Sequence, residues 1–263
     1  METQCTAFFH TDDGEVFTGN DAARGPWSED ACHAGPVTAL IARALERCIP
    51  EQQLMRLSVE LIRPVPMAGI RITTAKTKTG RAVSSAKADM YDLNGKLVAK
   101  ANSLHMVQQD LGEVPTLDFT LPSFEQSVPG PFPITKTMHS KPSFSSGTEV
   151  RYPPGENKEP GPTTLWMKTI NILDGEEPTP FQRLCPLADC GNGISRNSDL
   201  GDLMFMNPDI TIAMHRAPIS EWIGSSAKSF WQPNGMGLAQ AQLFDREGPI
   251  ASVMQTLLLQ RSQ

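Results

Sequence analysis

Two stretches of this 263-residue chain repeat one another at a fixed distance. Arg63, just before Pro64, recurs as Arg216 near Pro218, 153 residues on (216 − 63). Tyr91-Asp92-x-x-Gly95 recurs as Phe244-Asp245-x-x-Gly248 at the same offset, and Val98-Ala99 recurs as Ile250-Ala251 at 152. A constant offset over three landmarks marks an internal duplication, and its period is far too long for a solenoid. Whatever the first half folds into, the second half folds into again.

The first copy shows what the unit is. After short β-like pieces ending at Gly25-Pro26-Trp27, the segment SEDACHAGPVTALIARALERC opens a helix. Gly35-Pro36 stands at its start, where the missing N–H of proline costs nothing. Val37, Leu40, Ile41, Ala44, Leu45 and Cys48 recur at helical spacing until Pro50 stops the run. From Leu54 the apolar period becomes two, which predicts strands over 54–62, 69–79, 82–92 and 96–107, with a turn at Asp92–Gly95. The second copy begins with a strand over Thr164–Ile172. A weaker helical stretch follows from Phe181 to about Ile194, interrupted by Pro186, Gly191 and Gly193. A meander of three or four strands then runs from Asn207 to Gln255. Between the copies, residues 108–162 are rich in Pro, Gly and Ser, with one short strand expected around Thr148–Tyr152. The expected division is an N-terminal unit over 1–107, a connecting segment over 108–162 and a C-terminal unit over 163–263.

Composition narrows the partners. A net charge of −6 without any Lys/Arg run argues against nucleic acid. No apolar run approaches the ~20 residues that a membrane span needs. The N-terminus METQCTAFFHTDDG carries acids where an export signal has basic residues, so none is read there. Five cysteines, odd in number, scattered and never CxxC, predict reduced thiols, no zinc or other metal site, and a cytoplasmic location.

Two polar residues stand out in the second meander. Asp209 and Gln255 sit where a strand should bury apolar surface, and neighbouring strands could bring them together around a water. Subtracting the repeat offsets places Arg56 opposite Asp209 (209 − 153) and Ser103 opposite Gln255 (255 − 152). The first copy lacks both groups, so one site per chain is expected. The bland alternatives are a turn acid after Asn207-Pro208 and a solvent-facing strand amide.

The segments PWSEDACHAGPVTALIARALE, LSVELIRPVP, PLADCGNGIS, NPDITIAMHR with Glu221-Trp222, and GMGLAQAQLFDREGPIASVMQTLLLQR together resemble the blocks of the type II acyl-CoA thioesterases. In order, they span nearly the whole chain outside 108–162. The resemblance implies an α+β double-hotdog fold, two curled antiparallel sheets each wrapped around a central helix. It implies hydrolysis of acyl-CoA thioesters by a water that an Asp, a Gln and a Ser/Thr hydroxyl orient. No metal, acyl-enzyme or cofactor is involved beyond the coenzyme A of the substrate. Carried onto this chain, the acid falls on Asp209, the amide on Gln255 and the hydroxyl on Ser229 or a neighbour, where the family often has threonine.

The helix start at His33-Ala34-Gly35 is expected to face the acid, with the N–H groups of Gly35 and Val37 as donors to the thioester oxygen. His33 either orders that loop, touches substrate or is a structural histidine. Asp189 and Asn192 either line the pocket or cap and turn. His215 is expected in the core or the pocket wall. Cys190 is a poor nucleophile candidate, with no histidine near it in sequence. Met204, Phe205, Met206, Met214 and Met236 line an acyl channel or simply pack. A homodimer or larger homo-oligomer is expected, because hotdog units usually bury their edges by further pairing. The rivals are a hydratase or dehydratase acting on an enoyl- or hydroxyacyl-thioester, whose loop order is missing here, and an acyl-CoA-binding protein without turnover.

Overall fold

A computed structural model of the chain describes residues 5–134, 137–199, 201 and 203–261. The first copy holds β1 (Ala7–His10), β2 (Thr18–Gly19), α1 (Ala34–Cys48), β3 (Gln53–Leu61), β4 (Ile70–Lys78), β5 (Val83–Asp92) and β6 (Leu97–Met106). The connecting segment adds β7 (Val128–Gly130) and β8 (Thr148–Tyr152). The second copy holds β9 (Thr163–Thr169), β10 (Asn171–Leu173), α2 (Pro180–Ala188), α3 (Gly191–Ile194), β11 (Leu203–Met206), β12 (Asp209–Met214), β13 (Ile223–Trp231), β14 (Met236–Asp245) and β15 (Gly248–Arg261). The duplication is carried into the strands themselves. Both ends of β4 recur 153 residues on as the ends of β13, and both ends of β5 recur as those of β14.

The two meanders were expected as separate sheets, and here the structure departs from the sequence reading. They join into one 12-stranded sheet, in the order β4-β5-β6-β3-β12-β15-β14-β13-β9-β8-β7, with β11 also on β15. The seam is the antiparallel pair β3·β12, running from Asp209 opposite Glu60 to Ala213 opposite Arg56. Each copy would otherwise present that strand as an open edge with unpaired N–H and C=O groups, and pairing them removes both liabilities at once. A second, small sheet orders β10-β1-β2 and ties the N-terminus to the second copy through the parallel pair β1·β10. The connecting segment is not plain linker, since β8 pairs with β9 and β7 with β8.

The helices lie antiparallel and packed together. Near the start of α1, a Cβ on Gly35 would come within 2.8 Å of the Pro186 Cα near the end of α2. At the other end, Glu46 of α1 meets Thr179, which caps α2. Glycine at position 35 is therefore what lets the two backbones approach. Val37, Leu40, Ile41 and Leu45 put the apolar stripe of α1 into the main core, as their spacing predicts. The weaker helical stretch resolves into α2 and α3, broken at Asp189-Cys190, where the ladder passes from an i−4 bond (Asp189 N to the Cys185 carbonyl, 3.2 Å) to an i−3 bond (Cys190 N to the Leu187 carbonyl, 3.0 Å).

The strand before the seam is broken as well. β11 pairs with Leu258–Arg261 and β12 with Ala251–Met254, both on the same partner, β15. The break between them is Asn207-Pro208. The stretch of β15 from Gln255 to Leu257 thus faces the break instead of a continuous neighbour.

Candidate active site

A cavity of about 460 Å³ opens where four elements meet: the start of α1, the α2–α3 turn, the β11–β12 break and the connecting segment around Phe132–Ser145. Its walls are largely apolar, with Leu61, Val65, Phe132, Phe144, Phe205 and Leu258 among them. The polar groups His33, Asp189, Asn192 and Asn207 gather at one place on that wall. This is the composition of a small-molecule site, apolar surface with a few convergent polar groups.

Those groups form one network, and backbone atoms fix its direction. Gln255 is 1% exposed, and its Oε1 accepts from the Asn192 backbone N–H at 3.1 Å. A backbone N–H can only donate, so the other end of the amide is the NH₂ group. That group donates to the Asp189 carbonyl at 3.1 Å and to Asp189 Oδ1 at 3.2 Å. Asn192 Oδ1 accepts from Gly193 N at 2.7 Å, and its Nδ2 donates to the Phe205 carbonyl and to Asn207 Oδ1 at 3.2 Å. Asn207 Nδ2 in turn donates to Asp189 Oδ1 at 2.9 Å. Every amide is polarised toward Asp189, whose side chain is only 4% exposed. His33 completes the ring around it, with Nδ1 3.0 Å from Asp189 Oδ2. Gly191 allows the close fit, since a Cβ there would stand 3.0 Å from Gln255 Oε1.

The structure does not bring Asp209 and Gln255 together. Successive strand residues point to opposite faces, and the Asp209 side chain meets Thr256, one residue past Gln255. Asp209 Oδ1 accepts from the Thr256 backbone N–H at 2.8 Å and from the Thr256 hydroxyl, on the exposed side of the strand. The acid beside Gln255 is Asp189, which comes from the α2–α3 turn.

Ser229 does lie on the face of Gln255. It stands in register with Ala239, which stands in register with Gln255, so the three occupy one row across β13, β14 and β15. Two strand spacings, roughly 10 Å, separate the backbones of Ser229 and Gln255. Ser229 Oγ meets Ser195 Oγ at 2.8 Å, and Ser195 donates to the Gly191 carbonyl at 2.8 Å.

At the start of α1, His33 and Ala34 line the cavity, whereas Gly35 and Val37 are buried behind it. The Gly35 N–H points to His33 Nδ1 at 3.1 Å and not to the cavity. The donors expected at Gly35 and Val37 are thus corrected, because packing of α1 on α2 takes these residues off the wall.

The remaining candidates separate cleanly. Phe205 and Met206 line the cavity, while Met204, Met214 and Met236 are not among its walls. His215 is exposed, not in the core, because it follows the end of β12. Cys190 lines the cavity, but its thiol donates to the Pro186 carbonyl at 3.0 Å and burial pushes it well above the ordinary thiol range. Burial also pushes the Cys32 thiol up to about 12. Neither is poised to become a thiolate nucleophile.

Asn207 and Ser195 are not among the site residues expected from the sequence. For Asn207 a signal existed: Asn-Pro between the apolar runs LMFM and ITIAM marks a strand break that can turn a polar side chain toward the core.

Comparison with known proteins adds the family. An acyl-CoA thioesterase N-terminal domain matches residues 23–108, and an acyl-CoA thioesterase C-terminal domain matches residues 114–259. The chain belongs to the acyl-CoA thioesterase family. A tesB protein of Mycobacterium avium subsp. paratuberculosis superposes with a TM-score of 0.70 at 15% identity, covering 97% of this chain and 96% of that one. The acyl-CoA thioesterase II TesB2 of Mycobacterium marinum gives 0.63 at 15%, covering 97% and 95%. A hot dog fold protein of Alicyclobacillus acidocaldarius gives 0.73 at 16%, covering 99% and 98%. At these identities the structural matches establish the hotdog fold. No curated protein matches the chain by sequence. Among the described residues, no helix is long and apolar enough to cross a membrane, and no cluster of three metal-ligating side chains occurs.

Proposed function

We propose that this thioesterase-family chain hydrolyses acyl-CoA to free acid and coenzyme A, with Asp189 as the base and Gln255 as its partner. The single observation that carries this reading is the Asp189–Gln255 hydrogen bond at the polar wall of a largely apolar cavity. A water held at Asp189 attacks the thioester carbonyl carbon and gives its proton to the carboxylate. The tetrahedral intermediate then collapses, the C–S bond breaks, and the proton returns to the leaving coenzyme A sulfur. The N-terminus of α1, where His33 and Ala34 reach the wall, supplies positive helix-end potential where the oxyanion develops. Ser229 acts at one remove, holding α3 down through Ser195.

Each copy is read as one hotdog unit, with α1 and the α2–α3 pair as central helices. The boundaries at 107 and 163 are kept, although β7 and β8 extend the second unit's sheet. The reaction needs no cofactor beyond the coenzyme A of the substrate. Free thiols fit a cytoplasmic setting, and the chain assembles as a homo-oligomer.

Purified protein incubated with acyl-CoAs of graded length, with thiol release as the readout, tests this directly. Asp189→Asn is expected to lose about 10²–10⁴-fold in turnover, while Asp209→Asn keeps wild-type turnover. Full activity in Asp189→Asn would sink the mechanism.

A further inference from the structure

We propose that His33 is a positioning residue that commits the proton on its Nδ1 to Asp189, locking the carboxylate in line with the cavity. This rests on Asp189 being the base of the hydrolysis described above. The Nδ1 atom has two neighbours, Asp189 Oδ2 at 3.0 Å and the Gly35 backbone nitrogen at 3.1 Å. A ring nitrogen is either a donor or an acceptor, so it satisfies one of them and not both.

As a helix cap alone, His33 would keep Nδ1 bare and accept from Gly35. A bare nitrogen would then face a carboxylate oxygen, lone pair against lone pair, at a site with little water to screen it. With the proton on Nδ1, Asp189 meets only donors. Asn207 and Gln255 both donate to Oδ1, and His33 donates to Oδ2. Gln255 is oriented by the Asn192 backbone N–H, and Asn207 by the Asn192 side chain, which Gly193 N and the Phe205 carbonyl hold in turn, so the His33 tautomer is the one variable in the network. Among the described residues Oδ2 meets His33 alone, so it keeps capacity for a proton from water, and His33 sets its direction. The imidazole is itself held flat against Phe144, with ring centroids 4.0 Å apart at 15°. Phe144 belongs to the connecting segment, which thereby helps to orient the base as well as to wall the cavity.

Two measurements on the full-length chain test this. The ¹⁵N shifts of the His33 ring distinguish a protonated from a bare Nδ1 without reference to activity. A protonated Nδ1 is expected, and a bare one overturns the proposal. In turnover, His33→Ser keeps an oxygen able to cap α1 but cannot reach Asp189. It should lose about 10²-fold in kcat, the cost of a misplaced reacting group, with KM and Tm close to wild type. His33→Asn, which can place an N–H near the position of Nδ1, should restore most of the loss. Wild-type kcat in His33→Ser overturns the proposal. Absence of thiol release from the wild-type chain would sink the hydrolase reading instead, and the ring-nitrogen measurement would still decide where the proton sits.

Discussion

The two antiparallel helices meet at two ends, and at each end the residue just before one helix touches a carboxylate from the end of the other. At one end His33, the residue just before α1, meets Asp189. At the other, Thr179 caps α2 and donates to Glu46, which also accepts from Gln182 Nε2 at 2.7 Å. The duplication thus supplied two similar junctions, and they have diverged. Asp189 lines the 460 Å³ cavity, whereas Glu46 lies outside its walls. Beside Glu46, Arg43 donates twice to Glu176 at 2.8 Å, and Arg47 adds a third bond. Asp189 has three side-chain neighbours that all fit as donors and an apolar chamber in front of it. A carboxylate at a helix end becomes a candidate base only when the surrounding elements leave room for a substrate.

The sharpest way to break the comparison is to neutralise each carboxylate in turn. Asp189→Asn should cost about 10²–10⁴-fold in thiol release, and Glu46→Gln should cost nothing. Equal losses from both would mean that the junctions are not functionally distinct.

Next in size is the close approach that brings Asp189 to α1. Gly35→Ala puts a Cβ 2.8 Å from Pro186 Cα and 3.3 Å from Asp189 Cβ. Thermal or denaturant unfolding should show a loss of about 1–3 kcal/mol. An unchanged midpoint would show that the helices can separate freely.

The position opposite Gln255 allows a smaller test. In the first copy, Ser103 donates to the Ala86 carbonyl and lies 2.9 Å from Nε2 of the fully buried His105. Desolvation holds the His105 pKa below its ordinary value of 6.5. The unfolded chain therefore binds this proton more readily than the folded one, and the stability contributed by neutral His105 is lost as pH falls below about 6.5. Denaturation midpoints from pH 7.5 to 5.5 should fall, and less steeply in His105→Gln.

The smallest effect is expected at Glu46, whose pKa burial raises. Its folded form prefers the proton, so ionisation works against folding as pH rises through and above the usual carboxylate range. Glu46→Gln should be slightly more stable than wild type at pH 7 and indistinguishable from it near pH 4.

Much of the fold was legible in the sequence because its signals are local. The 3.6-residue stripe of α1, the period-two runs of β3 to β6 and the turn at Asp92–Gly95 each depend on residues close in the chain. The repeat then transferred that reading to β13 and β14. The sheet seam was not legible, because pairing β3 with β12 joins residues about 150 apart and leaves no local mark. The site was half legible. Gln255 was recognised as a polar residue in a burying pattern, and it is buried as that pattern demands.

The acid beside Gln255 is not the one that strand position suggests, because neighbouring strands do not by themselves bring side chains together. Asp209 and Gln255 do belong to neighbouring strands, but alternation turns their side chains to opposite faces, and only the register of β12 on β15 decides that. The sequence by itself determined a duplicated helix-and-meander unit, a single candidate amide and the family. The tertiary structure alone decided which carboxylate reaches that amide. Asp189 arrives from a helix break 66 residues before Gln255, and it is held there by amides whose orientation is set by backbone groups of three separate elements. Such a choice depends on directions in space, which a linear pattern does not carry.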